Sequence, residues 1–399
     1  MNRPRFRLAA GTAVLLMIAL TLAGCGKSST KTSSSNSSKN NGAKKSISLA
    51  FVGALTGDSA NLGINIRNGA KTAIDEYNKD SNSKYTVNLK SYDTKGDPAE
   101  ATTVKDQYIN DQSVIGIIGP GFSGETKAVL PALQEAGLVM ISASATNKDL
   151  PNIAPGNPGV FHRAIADDTF QGGAIGKYIV KTLSGKNIVV IDDNSEYGKG
   201  LADDTSKAVA DNGGKVAKRV TLDPKSADFS AAVNDAKSAN PDVVMYAGYY
   251  SEAGRLKKQL TDAGVKATYI SGDGSLDPGF IAAAGASAAE GALLSCPCNL
   301  ANDASTGKLK DFFSAYKADN GTEPGTYSPE AYDVAKIFLK GIEAGNTTRA
   351  KMLSYVNKDL GSYDGISKTI EFQANGNIKT PELFVFEVKS GKIMAKGQG

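Results

Sequence analysis

The chain has 399 residues, 41% hydrophobic and 22% charged, with 45 Lys and Arg against 41 Asp and Glu. Eight of the basic residues and none of the acids fall within positions 1–45, so the remainder carries 37 bases against 41 acids, a net charge of about −4. No basic patch argues for nucleic acid, and with a single histidine and two cysteines beyond Cys25 there are too few soft ligands for a zinc site.

The chain opens "MNRPRFRLAAGTAVLLMIALTLAGCGKSS": three arginines, an apolar run from Leu8, then Leu22-Ala23-Gly24-Cys25. Residues 1–24 have the build of an export signal, too short in their apolar run for a span of about 20 residues. Their end resembles the lipobox of bacterial lipoproteins, which implies cleavage before Cys25 and a lipid on that cysteine. Residues 25–45 are almost all Ser, Thr, Asn, Gly and Lys, which bury too little apolar surface to offset their ordering entropy, and predict a disordered tether.

From Ser46 a β-α-β-α pattern repeats. "SISLAFVGAL" is a continuous apolar run that suits a buried parallel strand, and "LGINIRNGAKTAIDEYN" carries Ile66, Ala70, Ala73, Ile74 and Tyr77 at helical spacing. Strand "YTVNLKSYD", helix "DPAEATTVKDQYIND" with Asp97 at its cap and Pro98 at its first position, strand "VIGIIGP", helix "SGETKAVLPALQEAG" and strand "LVMISAS" complete a Rossmann-like set. His162, in the strand-like "GVFHRAI", is assigned a structural role.

A second set follows: helix "TFQGGAIGKYIVKTL", strand "NIVVIDD", helix "YGKGLADDTSKAVADNG", strand "GKVAKRVTL", helix "DFSAAVNDAKSAN", strand "PDVVMYAGY", helix "SEAGRLKKQLTDAG" and strand "ATYISGDG". "VIGIIGPGFSGETKAVLPALQEAGLVMIS" aligns with "DVVMYAGYYSEAGRLKKQLTDAGVKATYIS", so the sets are weak copies whose equivalent turns would face a shared crevice. Cys296 and Cys298, in "SCPCN", are compatible with a bridge or with free thiols. The last hundred residues offer two helical patterns and the extended runs "SKTIEFQ" and "ELFVFEV", too little for a third lobe. Lobe boundaries are expected at 46–165 with 298–373, and at 166–297 with 374–399.

"IIGPGFSGETKA" has the glycine spacing of a dinucleotide fingerprint. It follows the third strand instead of the first, and the next strand ends in "SASATN" without the acid that would hold a ribose. No Gly-Lys-Ser/Thr follows for a P-loop, and Ser123 lacks the elbow and histidine of a hydrolase. What remains is Ser123 at a helix N-terminus, expected to act as its cap and also suited to a carboxylate, beside the hydroxyl-rich turn of Ser144 and Thr146.

From Ser46 to its end the chain resembles the substrate-binding proteins of ABC transporters for branched-chain amino acids, through "FVGALTGDSANLG", "YDTKGDPAEA", "VIGIIGPGFSGETKA", "VMISASATN", "EYGKGLA" and "YAGYYSEAGRL". The resemblance implies an α/β protein of two hinged Rossmann-like lobes, the type I periplasmic-binding-protein fold. It implies a monomer with no catalytic residues, no cofactor and no metal, an ABC permease as partner, and an extracytoplasmic place at the membrane through Cys25. Ser123, Thr146 and the adjoining Ala145 would hold an amino acid's carboxylate, the Ser144 carbonyl and Asp273 its ammonium, with Tyr197 and Tyr249 from the second lobe. Leu62, Phe122 and Tyr327 would line the side-chain pocket. A sensor domain of the same fold for another small amino acid or amide is the alternative.

Overall fold

The computed structural model describes residues 44–156 and 159–398; the leader, Cys25 and the tether as far as residue 43 lie outside them, and Lys45, expected to end the tether, instead opens the first strand. The first sheet contains β1 (Lys45–Gly53), β2 (Tyr85–Asp93), β3 (Val114–Ile118), β4 (Met140–Ser142) and β5 (Phe161–Arg163), all parallel, in the order β2-β1-β3-β4-β5. Its crossovers are α1 (Ala60–Lys79), α2 (Pro98–Asn110), α3 (Ser123–Glu135) and the short α4 (Leu150–Ile153). From Ile47 onward β1 is buried throughout, as is all of β3, which is why their sequences read as unbroken apolar runs. Asp97 caps α2 by accepting from Ala99 N at 2.7 Å and Glu100 N at 3.2 Å, with Pro98 at the first position.

The second set runs α5 (Asp168–Lys181), β6 (Asn187–Asp192), α6 (Glu196–Asp211), β7 (Lys215–Thr221), α7 (Ser230–Ala239), β8 (Val243–Ala247), α8 (Tyr250–Asp262), β9 (Thr268–Ser271), α9 (Pro278–Ala284), α10 (Ala286–Ala289) and β10 (Leu293–Cys296). Then come α11 (Gly307–Asn320), α12 (Ser328–Glu343) and α13 (Arg349–Ser354). After the β11 (Ser362–Asp364) and β12 (Thr369–Glu371) hairpin, β13 (Phe384–Lys389) and β14 (Lys392–Gln398) end the chain. The second sheet has the order β14-β13-β10-β9-β8-β6-β7, with β13 antiparallel to both β10 and β14. Helices α11 and α12 pack back on α1, and α13 on β3, so the chain passes between the two lobes three times.

Counted from the first strand of each set, both sheets share one order, second-first-third-fourth-fifth. The aligned stretches "VIGIIGPGFSGETKA" and "DVVMYAGYYSEAGRL" are β3-turn-α3 and β8-turn-α8, each at the point where strand order reverses and an open α/β sheet leaves a crevice. Elements beyond the sequence reading are short: β10 has four residues and α9 seven, and β14 gains its place by pairing with β13. Two strand expectations end early. "VMISAS" keeps strand geometry only to Ser142, and "ATYISGDG" only to Ser271, after which Asp273–Ser275 forms a single tight turn.

Gly119 has φ +115°, and a Cβ there would lie 2.3 Å from the carbonyl oxygen of Val52. The first glycine of the fingerprint thus serves the contact between β3 and β1, whereas Gly121 would meet a Cβ only at ordinary van der Waals distance. Cys296 and Cys298 form a disulfide, their Cα atoms 4.9 Å apart, where β10 leaves the second sheet for the first lobe.

His162 is buried on β5, its ring 4.8 Å from that of Phe372, and burial lowers its pKa to about 4. The unfolded chain therefore takes up a proton near pH 6.5 that the folded chain refuses until about pH 4. Its contribution is intact above pH 6.5 and falls with pH below it, by up to about 3 kcal/mol. Urea unfolding at pH 7 and pH 4.5 should show this loss in the natural protein and a smaller one in His162→Leu; equal losses would refute the assignment.

Candidate functional site

The crevice between the lobes gathers most of the expected residues into two groups. The first is made of hydroxyls on two adjoining turns. Ser142 Oγ donates to Pro120 O at 2.7 Å and accepts from Ala145 N at 3.0 Å, and Ser144 Oγ donates to Gly121 O at 2.5 Å. These bonds fix the turn after β4 against the turn after β3. Ser123 Oγ accepts from Asn147 N at 3.2 Å, leaving its own proton to donate, and the buried Thr146 Oγ1 has no hydrogen-bond partner.

Ser123 is the first residue of α3 and does not cap it; Phe122 occupies the cap position. The capping expectation fails because α3 begins at Ser123 itself, which places Phe122 in the cap position. The buried Glu125 carboxylate folds back to accept from Phe122 N at 2.9 Å, and it also takes the Thr94 hydroxyl. Burial raises the pKa of Glu125 to about 7. Not spent on a cap, the Ser123 hydroxyl is available for other work.

The second group centres on Asp273, 1% exposed at the end of β9. Tyr197, in the first turn of α6, donates to Asp273 Oδ1 at 2.6 Å and accepts from Gly274 N at 3.1 Å. Tyr327 donates to Asp273 Oδ2 at 2.6 Å from the other lobe, where it precedes α12 with φ +68°, a conformation rare for a residue with a bulky side chain. Burial pushes the Asp273 pKa up, and the two phenols hold it back. Burial, reinforced by the carboxylate's charge, lifts both tyrosines well above their ordinary range, so they keep their protons and donate.

Aromatic rings close the space between the groups. The Phe122 and Tyr249 centroids are 4.6 Å apart, and Tyr249 and Tyr197 are 5.3 Å apart. Phe122 and Tyr249 are the cap residues of α3 and α8, equivalent positions of the two copies, and they meet across the crevice. At its mouth a cavity of about 560 Å³ runs past both rings to Ser59, Lys95 and Asp97. A larger depression of about 610 Å³ between α1 and β2 contains none of the expected residues. Leu62 is fully buried on α1 and joins neither group by a polar or ring contact.

Several residues the sequence reading passed over bind the lobes to each other. Asn61 Nδ2 donates to Asp277 Oδ1 at 2.9 Å, Asn147 Nδ2 to Glu196 O at 2.8 Å, and Lys127 and Lys148 pair with Glu196 and Asp204 at 2.8 and 2.5 Å. Asn61 and Asn147 lie within the singled-out stretches "FVGALTGDSANLG" and "VMISASATN", and Glu196 opens "EYGKGLA", but none of them was given a role there; Asp277, 216 residues from Asn61, lay in no such stretch. Among the described residues no cluster of His, Cys, Asp and Glu could hold a metal, and no helix is long and apolar enough to cross a membrane.

A family profile described as periplasmic binding protein matches residues 46–393. The chain belongs to the periplasmic binding protein family. It is 30% identical over 350 residues to Leu/Ile/Val-binding protein homolog 3 of Brucella melitensis, covering 87% of this chain and 93% of that one. It is also 30% identical over 348 residues to the leucine-, isoleucine-, valine-, threonine- and alanine-binding protein of Pseudomonas aeruginosa, covering 86% and 90%. The branched-chain amino acid transporter substrate-binding protein LivJ of Streptococcus pneumoniae, solved in complex with isoleucine, superposes with a TM-score of 0.80 at 26% identity, over 89% of this chain and 100% of that one. The resemblance to branched-chain amino acid substrate-binding proteins, and the two-lobed type I fold it implied, are thereby established for this periplasmic binding protein.

Tyr327→Phe leaves Asp273 Oδ2 buried without its phenol and removes a bond between the lobes. An unpaired buried acceptor of this kind costs about 1–3 kcal/mol, so urea unfolding at pH 7 should show a midpoint lowered accordingly. An unchanged midpoint would mean that this bond does not hold the lobes together in solution.

Proposed function

We propose that the protein captures a branched-chain aliphatic amino acid between its lobes and hands it to an ABC permease. The observation that carries this reading is the division of polarity across one crevice. Hydroxyl donors of Ser123 and Thr146 lie on one side and the Asp273 carboxylate on the other, the complement of a zwitterion. A charge-assisted hydrogen bond is worth about 1.5–3 kcal/mol, so both ends of the ligand contribute to affinity. Phe122 and Tyr249 supply the apolar wall, and the names of the relatives support an aliphatic side chain.

The segments 46–165 with 298–373 and 166–297 with 374–399 act as the moving bodies, and closure signals a loaded protein to the permease. The protein works as a monomer, without catalysis, outside the cytoplasm, anchored by a lipid on Cys25. Isothermal titration with leucine, isoleucine, valine, phenylalanine, a small amide and NAD tests the first part. Heat is expected with the three aliphatic amino acids and none with NAD, and Asp273→Asn should weaken leucine binding about 10- to 100-fold. Heat with NAD alone would reject the reading. For the anchor, Cys25→Ala should move the protein from the membrane fraction to the soluble one; retention in the pellet would exclude the lipid.

A further inference from the structure

Glu125 is fully buried in the first turn of α3, two residues after Ser123. Its Oε2 accepts from Phe122 N at 2.9 Å and its Oε1 from the hydroxyl of Thr94, in the turn after β2. A Cβ added at Gly121 would lie 3.7 Å from Oε2, so the carboxylate lies directly under the turn after β3. The peptide joining Gly121 to Phe122 gives its N–H to Glu125 and takes the Ser144 hydroxyl on its carbonyl. One peptide group thus connects Glu125 to the hydroxyl-rich turn, and each of its two bonds polarises the other.

No cation pairs with this carboxylate among the described residues. Lys95, beside Thr94, pairs with Glu100, and Lys127, on α3 itself, pairs with Glu196 of α6. The groups that bear on Glu125 are acids and phenols. Asp93, at the end of β2, acts on it as a like charge. Burial, together with nearby carboxylates that include Glu125, raises the pKa of Tyr108 on α2 and of Tyr249 at the cap of α8. From α1 the apolar Ile66 faces this turn. Burial raises the pKa of Glu125 itself to about 7, against the Thr94, Phe122 and Gly121 donors that favour its charged form. A dry carboxylate held by neutral donors alone is sensitive to any further charge placed near it.

We infer that Glu125 is the positioning residue of the hydroxyl side of the crevice, and that it takes up a proton from solvent when a ligand's carboxylate settles beside Ser123. This rests on the amino-acid reading above and adds to it a dependence of binding on pH. A second negative charge at the N-terminus of α3, in a crevice closed to water, disfavours the ionised form of Glu125. The proton goes to Oε1, where the Thr94 hydroxyl, which accepts as well as donates, turns to receive it; Oε2 keeps its bond from Phe122 N. The turn therefore holds its shape in both states while its charge changes. Because binding raises the proton affinity of Glu125, linkage makes the protonated protein the tighter binder. Affinity is full below the pH at which the free protein loses this proton, and it falls as pH rises through the higher value of the bound state.

The test is isothermal titration of the full-length protein with leucine between pH 6 and pH 8.5, repeated at pH 7.5 in phosphate and in Tris, whose heats of ionisation differ. The natural protein should bind leucine about 3- to 10-fold more tightly at pH 6 than at pH 8.5, with uptake of roughly half a proton at pH 7.5. Glu125→Gln keeps an oxygen for Phe122 N and carries no titratable proton, so both the pH dependence and the uptake should vanish. The buried acids Asp168, Asp193 and Asp273 are present in both proteins, and a slope they cause would survive the substitution. A variant that binds more weakly by one factor at every pH and keeps the natural slope would give Glu125 a purely structural part and overturn the inference. Should the variant fail to fold, the natural protein decides: affinity that does not change with pH, or binding without proton uptake, overturns it. Failure to bind any amino acid at any pH would remove the amino-acid reading as well, whereas leucine binding of equal strength from pH 6 to pH 8.5 removes only the role of Glu125.

Discussion

The buried carboxylate of Asp273 is the constraint around which the crevice is arranged. An ionised carboxylate withdrawn from water is costly unless hydrogen bonds replace its hydration, and here the replacement comes from both lobes at once: Tyr197 from α6 and Tyr327 from the turn before α12. Tyr327 holds an unusual backbone, φ +68°, in the turn from which its hydroxyl reaches the carboxylate. Separating the lobes takes one of the two donors away. The charge that would attract an ammonium is thus also a charge whose burial depends on the lobes meeting.

The duplicated topology explains why such a site exists between the lobes. Each sheet reverses its strand order beside its third strand, and the turns after β3 and β8 occupy that reversal in their own lobes. Phe122 and Tyr249, cap for cap, meet there. The copies have diverged in chemistry while keeping this geometry. Around the first turn lie small hydroxyls, those of Ser142 and Ser144 donating to backbone, and around the second lie phenols and an acid. Two like copies facing each other would suit a symmetric ligand; these two define a direction across the crevice, with donors at one end and a carboxylate at the other.

Much of this was legible in the sequence, and the failures have a common cause. Apolar periodicity located the strands of the first sheet and the helices between them, because burial on both faces leaves a continuous signature, as in "SISLAF" and "VIGII". The hydroxyl turn was read from its own residues, whereas the tyrosines and Asp273 were found through the resemblance, since a loop acid in "SGDGS" has no local feature that separates it from solvent-facing acids. Ser123 was read as a cap because a hydroxyl at a strand-to-helix turn is a good one; that Glu125 would fold back to Phe122 N depends on its burial against Thr94, 31 residues away.

The remaining links between the lobes show how such a device can stay reversible. The Lys127–Glu196 pair is nearly half exposed on both sides, and pairs of that kind contribute at most about 1 kcal/mol. Asn61 with Asp277 and Asn147 with Glu196 exchange one hydrogen bond with water for one across the seam, a small net gain each. The stiffer contacts lie where the chain crosses: Lys368 donates to Pro297 O at 2.8 Å, between the paired Cys296 and Cys298, and forms a buried ion pair with Glu330. The crossing is therefore held firmly while the faces of the lobes are held weakly. A ligand shifts such an equilibrium only by the difference in its affinity for the two arrangements, and a group touching both lobes supplies that difference where a group bound to one lobe does not. A carboxylate held by the first lobe and an ammonium held by the second make the amino acid itself the strongest link between them.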